Sequence, residues 1–286
     1  MSLSAAELAG NPAFASTLQY LARNLRNAYD EGPRLARTLA THQRWMMSQG
    51  AYALHLERDR EKPSTGLTVA RLRDLVVPYG IASRNTVQNF MEELLNYRFA
   101  RYLPDSMGRR PRPLEPTEVT EAAMQRWFAV NLSALDLLDG GRRFDDLTKM
   151  PLAFDRAQPR IARNCIESSG WRDPPPEVAL FVWTDAGGLV IDEFVGRLDL
   201  EGEEEGRFDL GRVDARRMAE HFMMSRTHLQ RLLKKAAERG CMGWSDDKRT
   251  RMWLARSFLD AYCVWQAVKF SIIDEAFEWA CREMDD

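Results

Sequence analysis

Apolar residues near the start of the chain recur every three or four positions. Before the break at Gly32-Pro33 they are Leu18, Leu21, Leu25 and Tyr29, and a similar spacing then continues through Leu35 and Leu39 to Leu56. A period of about 3.6 residues places such side chains on one face of an α-helix. The pattern therefore predicts long packing helices between residues 18 and 56.

A charged, turn-rich connector over residues 58–66 leads to a second series of elements. The pattern after it predicts a helix over 70–79, a tight turn, a helix over 84–96 and a short alternating strand over 99–103. A loop then reverses the chain. Thr117 is placed to cap a further helix, which we expect to reach Leu138 and to end at Gly140-Gly141.

The middle of the chain has weaker patterns. Residues 142–176, with the turn-forming sequence QPR and the run PPP, predict an irregular interdomain linker with some structure. Residues 177–200 contain the apolar runs ALFVW and LVIDEFV, which fit either a hairpin or two helix halves, because runs this short have no decisive period.

The last third is predicted to repeat the earlier order. Its pattern indicates a helix over 213–221, a turn, a helix over 226–239, and two strand-like pieces, 241–244 and 251–254, around a polar turn. A long amphipathic helix closes the chain.

An internal repeat underlies this similarity. Ser83 to Met91 aligns without a gap with Ser225 to Leu233, at an offset of 142 residues, and serine, arginine and glutamine coincide. The preceding helices align as Val76-Val77 against Met218-Ala219, and the following strands as 99–102 against 241–244. The shared order, spacing and serine favour a duplication.

Each copy has the pattern of a helix-turn-helix. Ser83 and Ser225 are suited to accept a hydrogen bond from a free backbone amide of the second helix, whose apolar positions turn inward. The other face carries residue types that bind base edges and phosphates, although a merely polar surface helix remains the alternative. These candidates are Arg84, Asn85, Gln88 and Asn89 in the first copy, and Arg226, Thr227, Gln230, Arg231 and Lys234 in the second.

Length and charge shape the expectations further. A chain of 286 residues, 45% of them hydrophobic, exceeds one typical domain, and we predict a first unit over 1–139, a linker over 140–176 and a second unit over 177–286. The net charge is −2, so any binding of nucleic acid must depend on local basic clusters, which lie around 84–112 and 212–256. The lack of a secretory signal or a membrane-spanning apolar run predicts a cytoplasmic protein without a membrane partner.

The sequence contains little that favours an enzyme. The four cysteines are scattered and the four histidines have no metal-ligand spacing with other residues. No nucleophile-elbow, P-loop or dinucleotide-binding motif occurs. We therefore expect no catalytic residues, no metal and no cofactor.

Residues 67–120 bring these patterns together. The stretch LTVARLRDLVVPYGIASRNTVQNFMEELLNYRFARYL and the following DSMGRRPRPLEPTE resemble the MarR-type winged-helix transcriptional regulators. Residues 18–139 cover one such unit and residues 177–282 a second, more diverged one. Because members of that family are usually homodimers, the resemblance implies a mainly α fold of tandem winged helix-turn-helix modules with small β-wings, packed as an intrachain pseudo-dimer through helices 18–56, 118–138 and 255–282.

The resemblance also implies a function, namely sequence-specific binding of double-stranded DNA by two recognition helices in adjacent major grooves. Base-facing residues would be Arg84, Asn85, Gln88, Arg226, Thr227 and Gln230. Residues of the two wings, Arg109, Arg110, Arg112, Lys248, Arg249 and Arg251, would reach the backbone or minor groove.

A small-molecule effector is implied in the same way, in a pocket that Trp45, Met46, Met47, Trp127, Trp253 and Trp265 could line, although core packing is the plainer interpretation of these residues. The chain would act as a monomeric pseudo-dimer or as a homodimer.

The sequence departs from the helix-turn-helix pattern in two ways, and it also allows an alternative to DNA binding. Ile81 and Met223 occupy the position where such turns often have glycine, so we expect a shifted turn, which Gly80 permits in the first copy. Glu92 and Glu93 weaken the first recognition helix as a neighbour of phosphate. The alternative is a tandem winged-helix scaffold for protein interactions without DNA binding, which the negative net charge and the acidic loop 201–205 favour.

Overall fold

A computed structural model describes residues 2–106 and 111–285. These residues are mainly helical with two small antiparallel sheets, as predicted. The helices are α1 (Ala5–Gly10), α2 (Phe14–Glu31), α3 (Pro33–Thr38), α4 (His42–Leu56), α5 (Val69–Val76), α6 (Arg84–Asn96), α7 (Glu118–Asp139), α8 (Arg143–Lys149), α9 (Leu152–Glu167), α10 (Ser169–Arg172), α11 (Pro176–Val182), α12 (Gly187–Arg197), α13 (Ala215–His221), α14 (Arg226–Glu238) and α15 (Arg256–Asp285). The strands are β1 (Ala100–Tyr102), β2 (Leu114–Pro116), β3 (Glu203–Glu204), β4 (Arg207–Arg212), β5 (Met242–Trp244) and β6 (Arg251–Ala255).

Local sequence signals explain where many helices begin and end. The side chains of Thr68, Ser83, Asp214 and Ser225 each accept a hydrogen bond from a backbone N–H in the first turn of the following helix. Such caps satisfy amides that have no partner within the helix. Helix α7 ends at Gly140, whose φ of 72° is left-handed and therefore favours glycine.

Helices α2, α7, α9, α12 and α15 form the centre of the molecule. Helix α2 packs against α7 and α12, while α15 packs against α1 and α9. Buried phenylalanines join the layers, since the Phe14 ring of α2 meets Phe270 of α15 at 5.5 Å and Phe128 of α7 meets Phe277 at 5.9 Å. Helices α2, α7 and α15, which overlap the predicted long helices, thus share one core.

The prediction of irregular structure over residues 142–176 is wrong, because residues 143–172 form three helices. Helix α9 lies between α4 and α15, and it fully buries Ile161 and Cys165. Pro159, interpreted as part of a turn, lies inside α9. A proline inside a helix costs about 3 kcal/mol, and the burial of a whole apolar face between two helices outweighs that cost.

Residues 177–200 form two helices, α11 and α12, rather than a hairpin. The two helices are joined by a short turn that includes Ala186 at a φ of 58°. Of the two alternatives that the apolar runs left open, the helix halves are correct.

The two sheets have a related strand order. In the first, β1 pairs with β2, and Leu67 forms a bridge to Leu114 on the other side of β2. In the second, the order is β3-β4-β6-β5, so β6 lies between β4 and β5. In both sheets the second strand of the hairpin pairs with the segment that precedes the helix-turn-helix. Strands β3 and β4 were not predicted.

Buried apolar residues form two clusters of unequal size. The large core unites the central helices with α11, α13, α14 and the second sheet. The small core contains residues of α4, α5, α6 and the first sheet, together with Ile166 of α9. Within the described residues, none of the helices combines the length and apolarity that crossing a membrane requires.

Candidate nucleic-acid interface

The first helix-turn-helix consists of α5, a turn and α6. Thr68 caps α5, and the Thr86 amide donates to Ser83 Oγ at 3.1 Å at the start of α6. In the turn, Gly80 adopts a φ of 68°, and the Ile81 amide donates to the Val76 carbonyl. The shift of the turn to Gly80 agrees with the expectation from its sequence.

The second helix-turn-helix consists of α13, a turn and α14. Asp214 caps α13, and the His228 amide donates to Ser225 Oγ at 3.1 Å. Here Met223 itself takes the left-handed conformation, with a φ of 53°. The expected shift of the turn is therefore wrong for the second copy, because Met223 itself adopts a conformation that costs an L-residue about 1–2 kcal/mol.

Matching hydrogen bonds relate the two segments residue by residue. The bond from Ile81 to Val76 corresponds to the bond from Met224 to Ala219, an offset of 143 residues. After the serines the offset is 142, since Phe99 bonds to Leu94 as Cys241 bonds to Ala236. The alignment of Val76-Val77 with Met218-Ala219 was thus wrong by one residue, because the first turn has an extra residue, Ala82.

The proposed reading residues of α6 lie on its open face. Ser83, Arg84, Asn85, Gln88 and Asn89 are all exposed, whereas Val87, Phe90 and Met91 are buried. Gln88 donates to Glu92 at 2.7 Å, which holds this amide along the helix surface. The open face therefore carries several polar groups but a single cation.

Glu93 does not lie free on that face. Both oxygens of its carboxylate accept hydrogen bonds from Arg44 of α4, at 2.9 and 2.7 Å. This bidentate pair raises the pKa of Arg44 and ties α6 to α4. Of the two acids expected to weaken α6 as a phosphate neighbour, only Glu92 remains without a cation partner among the described residues.

The open face of α14 is more basic. Ser225, Arg226, Thr227, Gln230, Arg231 and Lys234 are exposed, and Lys235 extends the same surface. Arg226 lies 2.8 Å from Glu220 of α13, which also binds Arg216 at 3.1 Å. These two arginines hold the pKa of Glu220 below its ordinary value, so the carboxylate stays ionised and orients Arg226.

The first hairpin offers one described cation from the predicted set. Arg112 is exposed but lies 3.8 Å above the Tyr102 ring and donates to Ser106 at 3.3 Å. This stacking holds the guanidinium across β1. Arg109 and Arg110, also predicted for this wing, lie outside the described residues.

The second hairpin is organised by Asp246. Its carboxylate accepts from the hydroxyl and the backbone amide of Thr250 and from the Arg251 amide, and these bonds lower its pKa. Asp246 therefore stabilises the turn of this hairpin. Lys248, Arg249 and Arg251 are exposed, and Arg251 is paired with Asp209 of β4.

A basic cleft beside the second hairpin was not predicted. It has a volume of about 970 Å³ and lies where α2 and α12 meet β4, α13 and the hairpin. Its arginines, which outnumber the carboxylates Glu193, Asp214 and Glu220, are Arg26, Arg197, Arg212, Arg217 and Arg249. The sequence offered one local signal, the concentration of arginine after residue 212, but Arg26 and Arg197 come from distant helices.

Comparison of the chain with protein-family models, with curated proteins and with solved structures gives no match. Within the described residues, no group of three or more histidine, cysteine or acidic side chains is arranged to hold a metal ion.

Proposed function

We propose that the chain is a sequence-specific, double-stranded DNA-binding transcriptional regulator made of two winged helix-turn-helix modules in tandem. One observation carries the proposal. In both segments a serine-capped helix, second in a helix-turn-helix and followed by a hairpin, exposes polar side chains over its first turns. That placement suits insertion of a helix N-terminus into a major groove.

The charge distribution supports unequal contributions from the two modules. Arg226, Arg231, Lys234 and Lys235 give α14 a basic face, and the arginine cleft lies beside its hairpin. In α6, Arg84 stands among the amides of Asn85, Gln88 and Asn89. Binding of phosphate would thus come mainly from the second module, and α6 would contribute mainly hydrogen bonds to bases.

The reading residues also differ between the modules, Asn85 against Thr227 and Asn89 against Arg231. If one chain supplies both halves of a pseudo-dimer, the target site is asymmetric. A homodimer of chains would restore a palindrome and double the length of the footprint.

Selection from a pool of random duplex DNA at two salt concentrations tests the proposal. We expect a two-part, asymmetric motif and an affinity that falls steeply as salt rises, because phosphate contacts release counterions. Absence of binding even at low salt would reject DNA recognition and favour the interaction scaffold.

The variant Arg84→Ala with Arg226→Ala tests which helices read the DNA. We expect loss of the selected motif, with about 1–3 kcal/mol lost per base-contacting arginine. The control is Arg142→Ala with Arg282→Ala, which removes two exposed, ion-paired arginines outside both helix-turn-helix segments. Full affinity in the first variant would sink the assignment of α6 and α14.

A further inference from the structure

An aromatic cavity of about 430 Å³ lies among the central helices, apart from both helix-turn-helix segments. Residues of α2, α3, α4, α7, α10, α12 and α15 line it. Cavities of roughly 300–1,000 Å³ with mostly apolar walls are typical of small-molecule sites.

Four tryptophans and a histidine shape the walls. Trp171 and Trp265 stack with their rings 4.2 Å apart, and Trp45 meets Trp171 at 5.2 Å and Trp127 at 5.7 Å. The His42 ring lies 5.3 Å from Trp265. Burial lowers the pKa of His42 to about 4, so the ring is neutral at pH 7 and its Nε2–H donates to the Trp171 carbonyl. The walls therefore suit a flat, apolar ring and add no charge.

Lys269 of α15 lines the same cavity and has only 4% of its surface exposed. Its ammonium lies 4.7 Å from the Phe270 ring and 5.8 Å from the Trp171 ring. No carboxylate among the described residues lies within ion-pair distance of it. A buried ammonium without a hydrogen-bonded anion is costly, and burial lowers the pKa of Lys269 to about 7. An anion that enters the cavity would stabilise the protonated form of this side chain.

Further polar groups near Lys269 also lack partners. Gln266 is 5% exposed and its Oε1 accepts no hydrogen bond, and Nε1 of Trp171 donates none, among the described residues. Asp192 of α12 lines the cavity near Lys269, and burial raises its pKa to about 7. A protonated Asp192 would not repel an anion and would be able to donate a hydrogen bond.

We infer that this cavity binds a small aromatic carboxylate, whose ring lies among the tryptophans and whose carboxylate accepts hydrogen bonds from Lys269. The Glu31–Arg126 ion pair between α2 and α7 lines the cavity and is solvent-exposed, which places the entrance there. The site stands apart from DNA binding and does not rest on it.

Calorimetric titration of the full chain with three probes of one ring system tests the inference. The probes are 2-naphthoate, 2-naphthamide and 2-naphthylmethylammonium. We expect the anion to bind at least about tenfold more tightly than the amide, because a hydrogen bond between charged groups is stronger than one to a neutral group, and the cation to bind most weakly. Tightest binding of the cation, or no binding of any probe at millimolar concentration, would overturn the inference.

Two variants and a control locate the site. Lys269→Met should weaken the binding of 2-naphthoate about tenfold or more and change the affinity for 2-naphthamide by less than about threefold. Trp127→Leu should weaken the binding of both probes to a similar extent, since it removes an aromatic ring that lines the cavity. Lys149→Met, which alters an exposed lysine paired with Asp146, should change neither. Unchanged binding of 2-naphthoate in folded Lys269→Met would overturn the assignment, and the three-probe series on the natural chain decides the question even if that variant does not fold.

Discussion

The two helix-turn-helix segments, residues 67–116 and 207–255, have the same order of elements but join the molecule differently. The first packs around a small core to which α4 also contributes residues. The second is continuous with the large core, where Phe222, directly after α13, packs against Tyr29 of α2 at 5.5 Å. The Tyr29 hydroxyl also donates to the His221 carbonyl at 2.5 Å. The same order of helices and strands can thus pack around a small core of its own or join a larger core, depending on which helices pack against it.

Polar contacts hold much of the first segment against α4. Arg44 binds Glu93, and Gln43 donates to the Ile81 carbonyl at 2.7 Å. Such contacts are weaker than a shared apolar core. We expect the first segment to open separately from the rest of the molecule, whereas the second opens only with global unfolding.

Truncation of a core phenylalanine in each segment should separate the two cores most clearly. Phe90→Ala and Phe222→Ala should each cost about 3–5 kcal/mol. All eight tryptophans lie outside residues 67–116, and only Trp45 also packs against the small core, so tryptophan fluorescence reports mainly on the large core. Phe222→Ala should lower the urea concentration at which half of the protein is unfolded, as followed by tryptophan fluorescence (the fluorescence midpoint). Phe90→Ala should leave it nearly unchanged and speed hydrogen exchange in α5 and α6. Equal midpoint shifts would show that the two cores unfold as one.

Lys269 provides the next largest effect. Burial lowers its pKa to about 7 from an ordinary value of 10.5, and attraction to Asp192 opposes the shift in part. Between pH 7 and 10.5 the unfolded chain therefore binds more protons, and stability rises with pH. Lys269→Met should raise the melting temperature by a few degrees below pH 7, and the gain should shrink toward pH 10.

Asp192→Asn should show the opposite pH dependence. Its pKa is raised from 3.8 to about 7, so the gain from asparagine should be full above pH 7 and vanish as the pH falls to 4. Both effects should appear in fluorescence-detected melting but not in hydrogen exchange of residues 84–96, because Lys269 of α15 and Asp192 of α12 both lie outside the first segment. A gain that is constant with pH in either variant would contradict this account.

Removal of the Arg44–Glu93 pair should loosen the first segment alone. Both side chains are about one third exposed, so Arg44→Met should cost about 0.5–1 kcal/mol. We expect faster hydrogen exchange in α6 and an unchanged fluorescence midpoint. Arg73→Met, which breaks a more exposed pair with Asp74, should have little effect on either quantity.

The two turns provide the smallest predicted difference. Gly80→Ala places a side chain at a φ of 68° in open space, so conformational strain alone should cost about 1 kcal/mol. Met223 has a φ of 53° and is 46% exposed, so Met223→Gly should stabilise the chain by up to about 1 kcal/mol. Chemical denaturation of both variants measures these values, and a loss of stability in Met223→Gly would mean that the methionine side chain has a packing role.

The helices of the candidate interface were predictable, and most of their surroundings were not. Helix α6 has the predicted bounds because Ser83 and the apolar spacing act within a few residues of one another. Strand β4 was missed because its pairing with β6 joins residues about 40 positions apart. Of the tryptophans considered for a pocket, Trp45, Trp127 and Trp265 line the cavity, whereas Trp253 lies against Arg207 on the second sheet, and Met46 and Met47 belong to the small core.

The sequence by itself determined that α6 and α14 begin after Ser83 and Ser225, because a cap and its helix interact locally. Only the tertiary structure decided that Pro159 lies within a buried helix, that Arg26 joins Arg249 in one cleft, and that Lys269 is buried beside a cavity with Asp192. Burial and long-range electrostatics depend on which distant segments meet, and a local periodic pattern contains no information about that.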